Sequence, residues 1–164
     1  MLLRRLWIVL AFLLVPAVAS ADAHRAGAFG GGSYLKASSL LGYHFAGDVV
    51  PIDKGVFQYI TLIGDFSIHA GSHNGSTDMV KTTVGGPGFA FAIGDHVITG
   101  HALFGDGLGE GTVKVTGGSW EYLIHRLSPG WQKGLKVQVD RIFVNDLDDA
   151  WRISVGAVFR YKRP

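Results

Sequence analysis

"AWRISVGAVFRYKRP", residues 150–164, is the stretch whose reading decides the fold. Trp151, Ile153, Val155, Ala157, Phe159 and Tyr161 share one parity, and Arg152, Ser154, Gly156, Val158, Arg160 and Lys162 share the other. Side chains alternate across a strand with a period of two, so this segment has one apolar, aromatic face and one mostly polar or small face. In a water-soluble barrel the apolar face fills the interior. In a membrane barrel it meets lipid, and the charged face lines the lumen.

The other end of the chain bears on the choice. "MLLRRLWIVLAFLLVPAVASADA" has a basic start at Arg4 and Arg5, an apolar run from Leu6 to Val15, and small residues in A-x-A spacing after Pro16. That is the layout of a secretory signal peptide, with an apolar stretch too short for a spanning helix. We expect a signal-peptide helix over 1–23, cleavage between Ser20 and His24, and a single barrel domain over 24–164. Of the 15 basic and 13 acidic residues, Arg4 and Arg5 leave with the signal, so cleavage before Asp22 gives a balance of 13 against 13. No basic patch then argues for nucleic acid as a partner. There is no cysteine, which excludes disulfides and thiolate metal sites. All 24 glycines lie beyond Ala26, without a G-X-Y period, and fit short, turn-punctuated strands.

Eight stretches read as strands, near 28–37, 40–50, 57–69, 79–91, 95–105, 111–123, 133–144 and 151–162. The segments "PIDKG", "GSHNGSTD", "IGD", "GDGLGE", "RLSPGWQ" and "NDLDD" read as connections between them. No stretch outside the signal reads as a helix. In the third strand Ile60, Leu62, Phe66 and Ile68 oppose Tyr59, Thr61, Asp65 and Ser67. In the seventh, Leu135, Val137 and Val139 oppose Lys136, Gln138 and Asp140. The phase is unclear across Gly117-Gly118, where a bulge would exchange the faces. An even number of strands near ten residues long matches the span of a bilayer at barrel tilt. The expected fold is an all-β, eight-stranded, antiparallel up-and-down transmembrane β-barrel. Ile60, Leu62, Val137, Val139, Ile153 and Val155 would then face lipid.

The alternative is a soluble periplasmic carrier barrel of lipocalin type, with the same alternation inverted. It would have to crowd Phe143, Trp151, Phe159 and Tyr161 into the ends of one interior. In a membrane barrel the same residues are interfacial aromatics.

"SVGAVFRY" places Ser154, Gly156, Phe159 and Tyr161 in a pattern that resembles the assembly signal on the last strand of bacterial outer-membrane barrels. "GDFSIHAG", "VGGPGFAF", "TGHALFG" and "KVQVDRIFVN" follow the order seen in small outer-membrane barrels of the OmpA/opacity-like family, and the resemblance spans 28–162. It implies an outer-membrane location, contact with outer-membrane lipid, and insertion by the barrel-assembly machinery through the last strand. Three features depart from the family pattern. The chain continues past Tyr161 with Lys162, Arg163 and Pro164, Gly88 stands where a basic residue is common, and Arg141 stands where a tyrosine is usual. An arginine near the bilayer edge costs only about 0–1 kcal/mol, so Arg141 fits near the outer rim.

The polar parity collects Asp65, Thr99, His101, Gln138, Asp140, Arg152, Ser154 and Arg160. An unpaired buried charge costs several kcal/mol, so Asp65 and Asp140 are expected to meet Arg152 and Arg160, with His101 and Gln138 completing the hydrogen bonds. Such a cluster could serve as an ion path or an acid/base pair. In eight strands, where the interior is just wide enough for side chains, a structural plug is the simpler reading. His69 and His73, beside Asp78, read as exposed loop residues without the converging ligands a metal needs. A lipid-modifying outer-membrane enzyme would draw on Ser72 or Ser76 with His73, yet there is no G-x-S-x-G elbow. "GDGLGEG" lacks the lysine and following helix of a phosphate-binding loop. The sequence thus predicts a structural or surface-interaction barrel with no catalytic residue, metal or cofactor.

Overall fold

The computed structural model describes residues 26–36, 39–52, 55–73, 76–107, 111–144 and 150–162. The expected signal peptide lies outside them. Eight strands follow one another: β1 (Ala26–Leu35), β2 (Leu40–Val49), β3 (Ile60–His73), β4 (Ser76–Ile93), β5 (His96–Gly107), β6 (Gly111–Ser128), β7 (Trp131–Val144) and β8 (Ala150–Tyr161). Each pairs antiparallel with the next, and β8 closes on β1 from Ala26↔Tyr161 to Leu35↔Arg152. Closure leaves no open edge, so every strand has a partner on both sides.

The strands differ from the sequence expectation at their ends. Residues 57–59 belong to a 3₁₀ turn, Gly55–Tyr59, that opens at Gly55 with φ 60°, and β3 starts only at Ile60. The segment 71–78, expected as an outer loop, is mostly ladder, with β3 and β4 pairing up to His73↔Ser76. At the other end Pro129-Gly130 turns β6 into β7. Proline presets the first central position and Gly130, at φ 86°, takes the left-handed second one, the chemistry of a type II turn.

No bulge exchanges faces at Gly117-Gly118, which pair in unbroken register with β5 and β7. The register shifts lie lower, between Leu123 and His125 and between Arg126 and Ser128. The sequence misled here because the polarity inverts while the parity holds. Ser119 and Glu121 point inward below the glycines, and Val113 and Val115 point inward above them. Those valines join Leu35, Leu40, Val84, Leu103 and Ile142 in an apolar cluster inside the end of the barrel away from the termini. At the terminal end Val97, Leu123 and Val158 form a smaller one.

The outer wall is apolar between these ends. Leu62, Val139, Ile153 and Val155 are exposed and Ile60 and Val137 half-exposed. Aromatic rings bound the apolar wall. Trp120, Tyr122, Trp131 and Phe159 are exposed toward the terminal end, and Tyr34, Tyr43, Phe104 and Trp151 toward the other. From Trp151 to Phe159 along a tilted strand the two levels stand about 20 Å apart, close to the roughly 25 Å apolar band of membrane barrels.

Candidate functional site: the charged interior

Between the two apolar clusters the inward parity carries charge, arranged in two groups. The first centres on Arg152 of β8, which is fully buried. Its Nη1 and Nη2 donate to the two oxygens of Asp65 on β3 at 2.9 and 2.7 Å, and its Nε donates to Asp140 on β7 at 2.8 Å. Ser67 accepts a further bond from Nη1 at 2.9 Å. The planar guanidinium suits this arrangement, since its fork engages one carboxylate bidentately and leaves Nε for another. Two histidines complete the carboxylates. His44 Nε2 lies 2.6 Å from Asp65 and His101 Nε2 lies 2.9 Å from Asp140. Gln138 Nε2 donates to Asp140 at 3.0 Å.

The second group lies nearer the termini. Arg160 donates from Nε and Nη2 to the two oxygens of Glu121 at 2.7 and 2.6 Å, and from Nη1 to Asp48 at 2.5 Å. Lys136 Nζ stands 3.5 Å from Glu121 and 5.2 Å from the centre of the Phe29 ring. Thr61 donates to Asp48 at 3.3 Å.

Asp65, His101, Gln138, Asp140 and Arg152 therefore come together. Arg160 does not join them, and its acids are Glu121 and Asp48 rather than Asp65 and Asp140. The reason is position along β8. The two arginines stand eight positions apart, so Arg160 lies a full barrel level below Arg152 and meets the carboxylates of that level. Ser154 lies in the first group, with its Oγ 2.9 Å from His44 Nδ1. Gly156 faces inward opposite Gly31, and Phe159 and Tyr161 face outward, Tyr161 with its ring 5.2 Å from that of Trp131.

His69 corrects the expectation of an exposed loop residue. It is buried, and its Nε2 lies 2.6 Å from Ser33 Oγ. Because β3 runs on to His73, position 69 still belongs to the ladder and keeps the inward parity of Thr61, Asp65 and Ser67. The side chains of Ser72, His73, Ser76 and Asp78 lie outside the described residues. Thr99 is buried, as is Ser119 opposite it, and neither hydroxyl has a hydrogen-bond partner among the described residues.

Sequence reasoning missed His44, Asp48 and Glu121. Alternation could have found them. Leu41, Tyr43 and Phe45 flank His44 on the other parity of β2, and Trp120 and Tyr122 bracket Glu121 on β6. Gly117 shows why small residues belong on this inner face: a Cβ there would run into the Asp140 carboxylate.

Ser154, His44 and Asp65 stand in a hydrogen-bonded series, the residue types of a nucleophile, base and orienting acid. The nitrogens are reversed relative to that arrangement, with Nδ1 toward the serine. Asp65 is also committed to Arg152, and Ser154 has no exposed surface. The geometry is that of internal polar packing, in which each carboxylate is met by several donors.

A closed, eight-stranded antiparallel barrel with an apolar outer wall and a charged interior is the class of protein that these features define. No protein-family model matches the chain, and no curated protein sequence does. Among solved structures, one described as "De novo design of transmembrane beta-barrels" superposes with a TM-score of 0.55 at 14% identity, covering 88% of this chain and 98% of that chain. At that identity the likeness is one of fold.

Proposed function

We propose that this chain is an exported outer-membrane barrel of the OmpA/opacity-like kind, with a structural or surface-interaction role, a sealed lumen and no catalysis. The observation that carries this reading is the distribution of polarity. Fully buried arginines and carboxylates occupy the interior, while the exposed wall carries leucine, valine and isoleucine between two levels of aromatic rings. A soluble carrier barrel has the opposite need, since its interior must receive an apolar ligand and its wall must face water. In a bilayer, closure satisfies every strand edge, and interfacial aromatics suit the two boundaries. The last strand would serve as the signal to the assembly machinery, and lipid would be the principal partner of the wall.

The test is Val155→Arg. Val155 is 52% exposed near the middle of the apolar wall. Arginine there is expected to destabilise the barrel by about 2–4 kcal/mol in a reversible bilayer folding assay. Single cysteines at Ile60, Leu62, Val137, Val139 and Ile153 should be protected from aqueous thiol reagents once the protein is in vesicles. Ready labelling at these positions, or a wild-type protein that fractionates with periplasm, contradicts the proposal.

The sealed lumen gives a second expectation. A permeating ion would have to displace Arg152 and Arg160 from carboxylates they already hold, then pass two apolar clusters. Planar-bilayer recordings of the pure protein should show no steady conductance, and large, stable single-channel steps would overturn the sealed reading.

A further inference from the structure

The outer wall carries an open recess. Between β8, β1 and β2 a cavity of about 620 Å³ is floored by Gly32 and flanked by Val155 and Ile153 on one side and Tyr43 and Leu41 on the other, with Tyr34 at its upper end. The register explains the shape. Gly32 stands between Val155 and Tyr43 in one cross-strand row, so the row has a wall on each side and nothing in the middle. A Cβ at Gly32 would meet no atom within 4 Å among the described residues. One row below, the Phe45 ring leans over Gly30 and closes the lower end, where a Cβ would come within 3.3 Å of it.

The polarity along β1 is graded. Gly30, Gly32, Tyr34 and Lys36 share the outward parity, so the column passes from open apolar floor to phenol to ammonium over about 13 Å along the strand. Lys36 is exposed and pairs with no carboxylate among the described residues. The Tyr34 hydroxyl lies 3.5 Å from Ser39 Oγ, on the same upper side. A glycine in a strand forgoes side-chain packing, and such a position often marks a close approach by a ligand.

We propose that this recess is a binding site for one anionic lipid, with an acyl segment in the slot over Gly32 and its phosphate near Lys36. This rests on the membrane reading above. The occupant follows from charge and polarity. An apolar slot continuous with the lipid-facing wall takes hydrocarbon, while the exposed Lys36, two residues past Tyr34 on the same parity, supplies a cation for a phosphate at headgroup level. A second barrel could fill the slot, but it would leave Lys36 without an anion.

The test uses the whole barrel refolded into vesicles of equal phosphatidylglycerol and phosphatidylcholine, then released for native mass spectrometry. Wild type should retain one phosphatidylglycerol in preference to phosphatidylcholine. Gly32→Leu puts a branched apolar side chain into the slot, where its Cβ has room, and should reduce retention of either lipid about tenfold, with heat-modifiable migration unchanged. Tyr43→Ala, which removes one wall, should reduce retention as well. Lys36→Gln should abolish the preference for phosphatidylglycerol while lipid is still retained. Equal retention in wild type and both slot variants overturns the proposal. So does disulfide-linked dimerisation of Gly32→Cys in vesicles, which would assign the slot to a second copy. A wild-type protein that does not float with vesicles in a density gradient refutes the membrane reading itself, and this inference with it.

Discussion

Arg152→Met should destabilise the barrel by about 3–5 kcal/mol, the usual penalty for removing one partner of a buried ion pair. Methionine keeps most of the volume, so the loss is electrostatic rather than a cavity. Asp65 and Asp140 would stay in place at the centre of the barrel, each stripped of guanidinium donors and far from water. His44, His101 and Gln138 still donate to them, but they cannot replace a permanent charge held between both. Arg160→Met should be milder, because Lys136 remains 3.5 Å from Glu121 and can offset part of the loss. Urea unfolding of refolded protein, followed by heat-modifiable migration, measures both. The mechanism has its own check: adding Asp65→Asn and Asp140→Asn to Arg152→Met should recover much of the stability, since it removes the orphaned charges. If the triple variant is less stable than Arg152→Met alone, the loss comes from packing and the charge account is wrong.

The second large effect concerns the terminal strand. Phe159→Ala combined with Tyr161→Ala should leave little assembled barrel in membrane fractions, with the remainder degraded before insertion. Phe159 is exposed on the outer wall and Tyr161 packs beside Trp131, so the pair sits at the terminal-end aromatic level of the strand that closes the barrel. Alanine removes two rings suited to a half-wet boundary, and under the proposed function it also erases the assembly signal. Truncation after Tyr161 is the comparison. It removes the Lys162 amide, which donates to the Gly130 carbonyl at 2.7 Å, and such a bond contributes a net 0.5–1.5 kcal/mol or so. The truncated chain should still assemble, slightly less stable. Normal assembly of the double variant alongside failure of the truncated chain would show that the signal lies past Tyr161.

The strand order was legible because a period of two survives wherever one face is uniformly apolar. β8 and the middle of β3 and β7 are such places, and their exposed residues are those the alternation points to. β6 was not legible at Gly117-Gly118, since the inward face there changes from Ser119 and Glu121 to Val113 and Val115. Local pattern reports polarity, and polarity indicates direction only while the interior keeps one character. The strand ends in 71–78 were misread for a related reason. Glycine and serine favour turns locally, yet β3 extends through Gly71 and Ser72 and β4 begins at Ser76, because each strand supplies the hydrogen-bond partners of the other.

What the sequence by itself determined is the number of strands, their antiparallel succession, and the face on which Asp65, Gln138, Asp140, Arg152 and Arg160 lie. These follow from alternation and turn chemistry, which act over a few residues. Only the tertiary structure decided which charges meet. Arg152 reaches Asp65 across 87 positions of chain, and Arg160 reaches Asp48 across 112. Those distances are closed by the stagger of the barrel, which sets the level of each strand against its neighbours. Parity places a side chain inside, but the level at which it arrives depends on closing all eight strands at once.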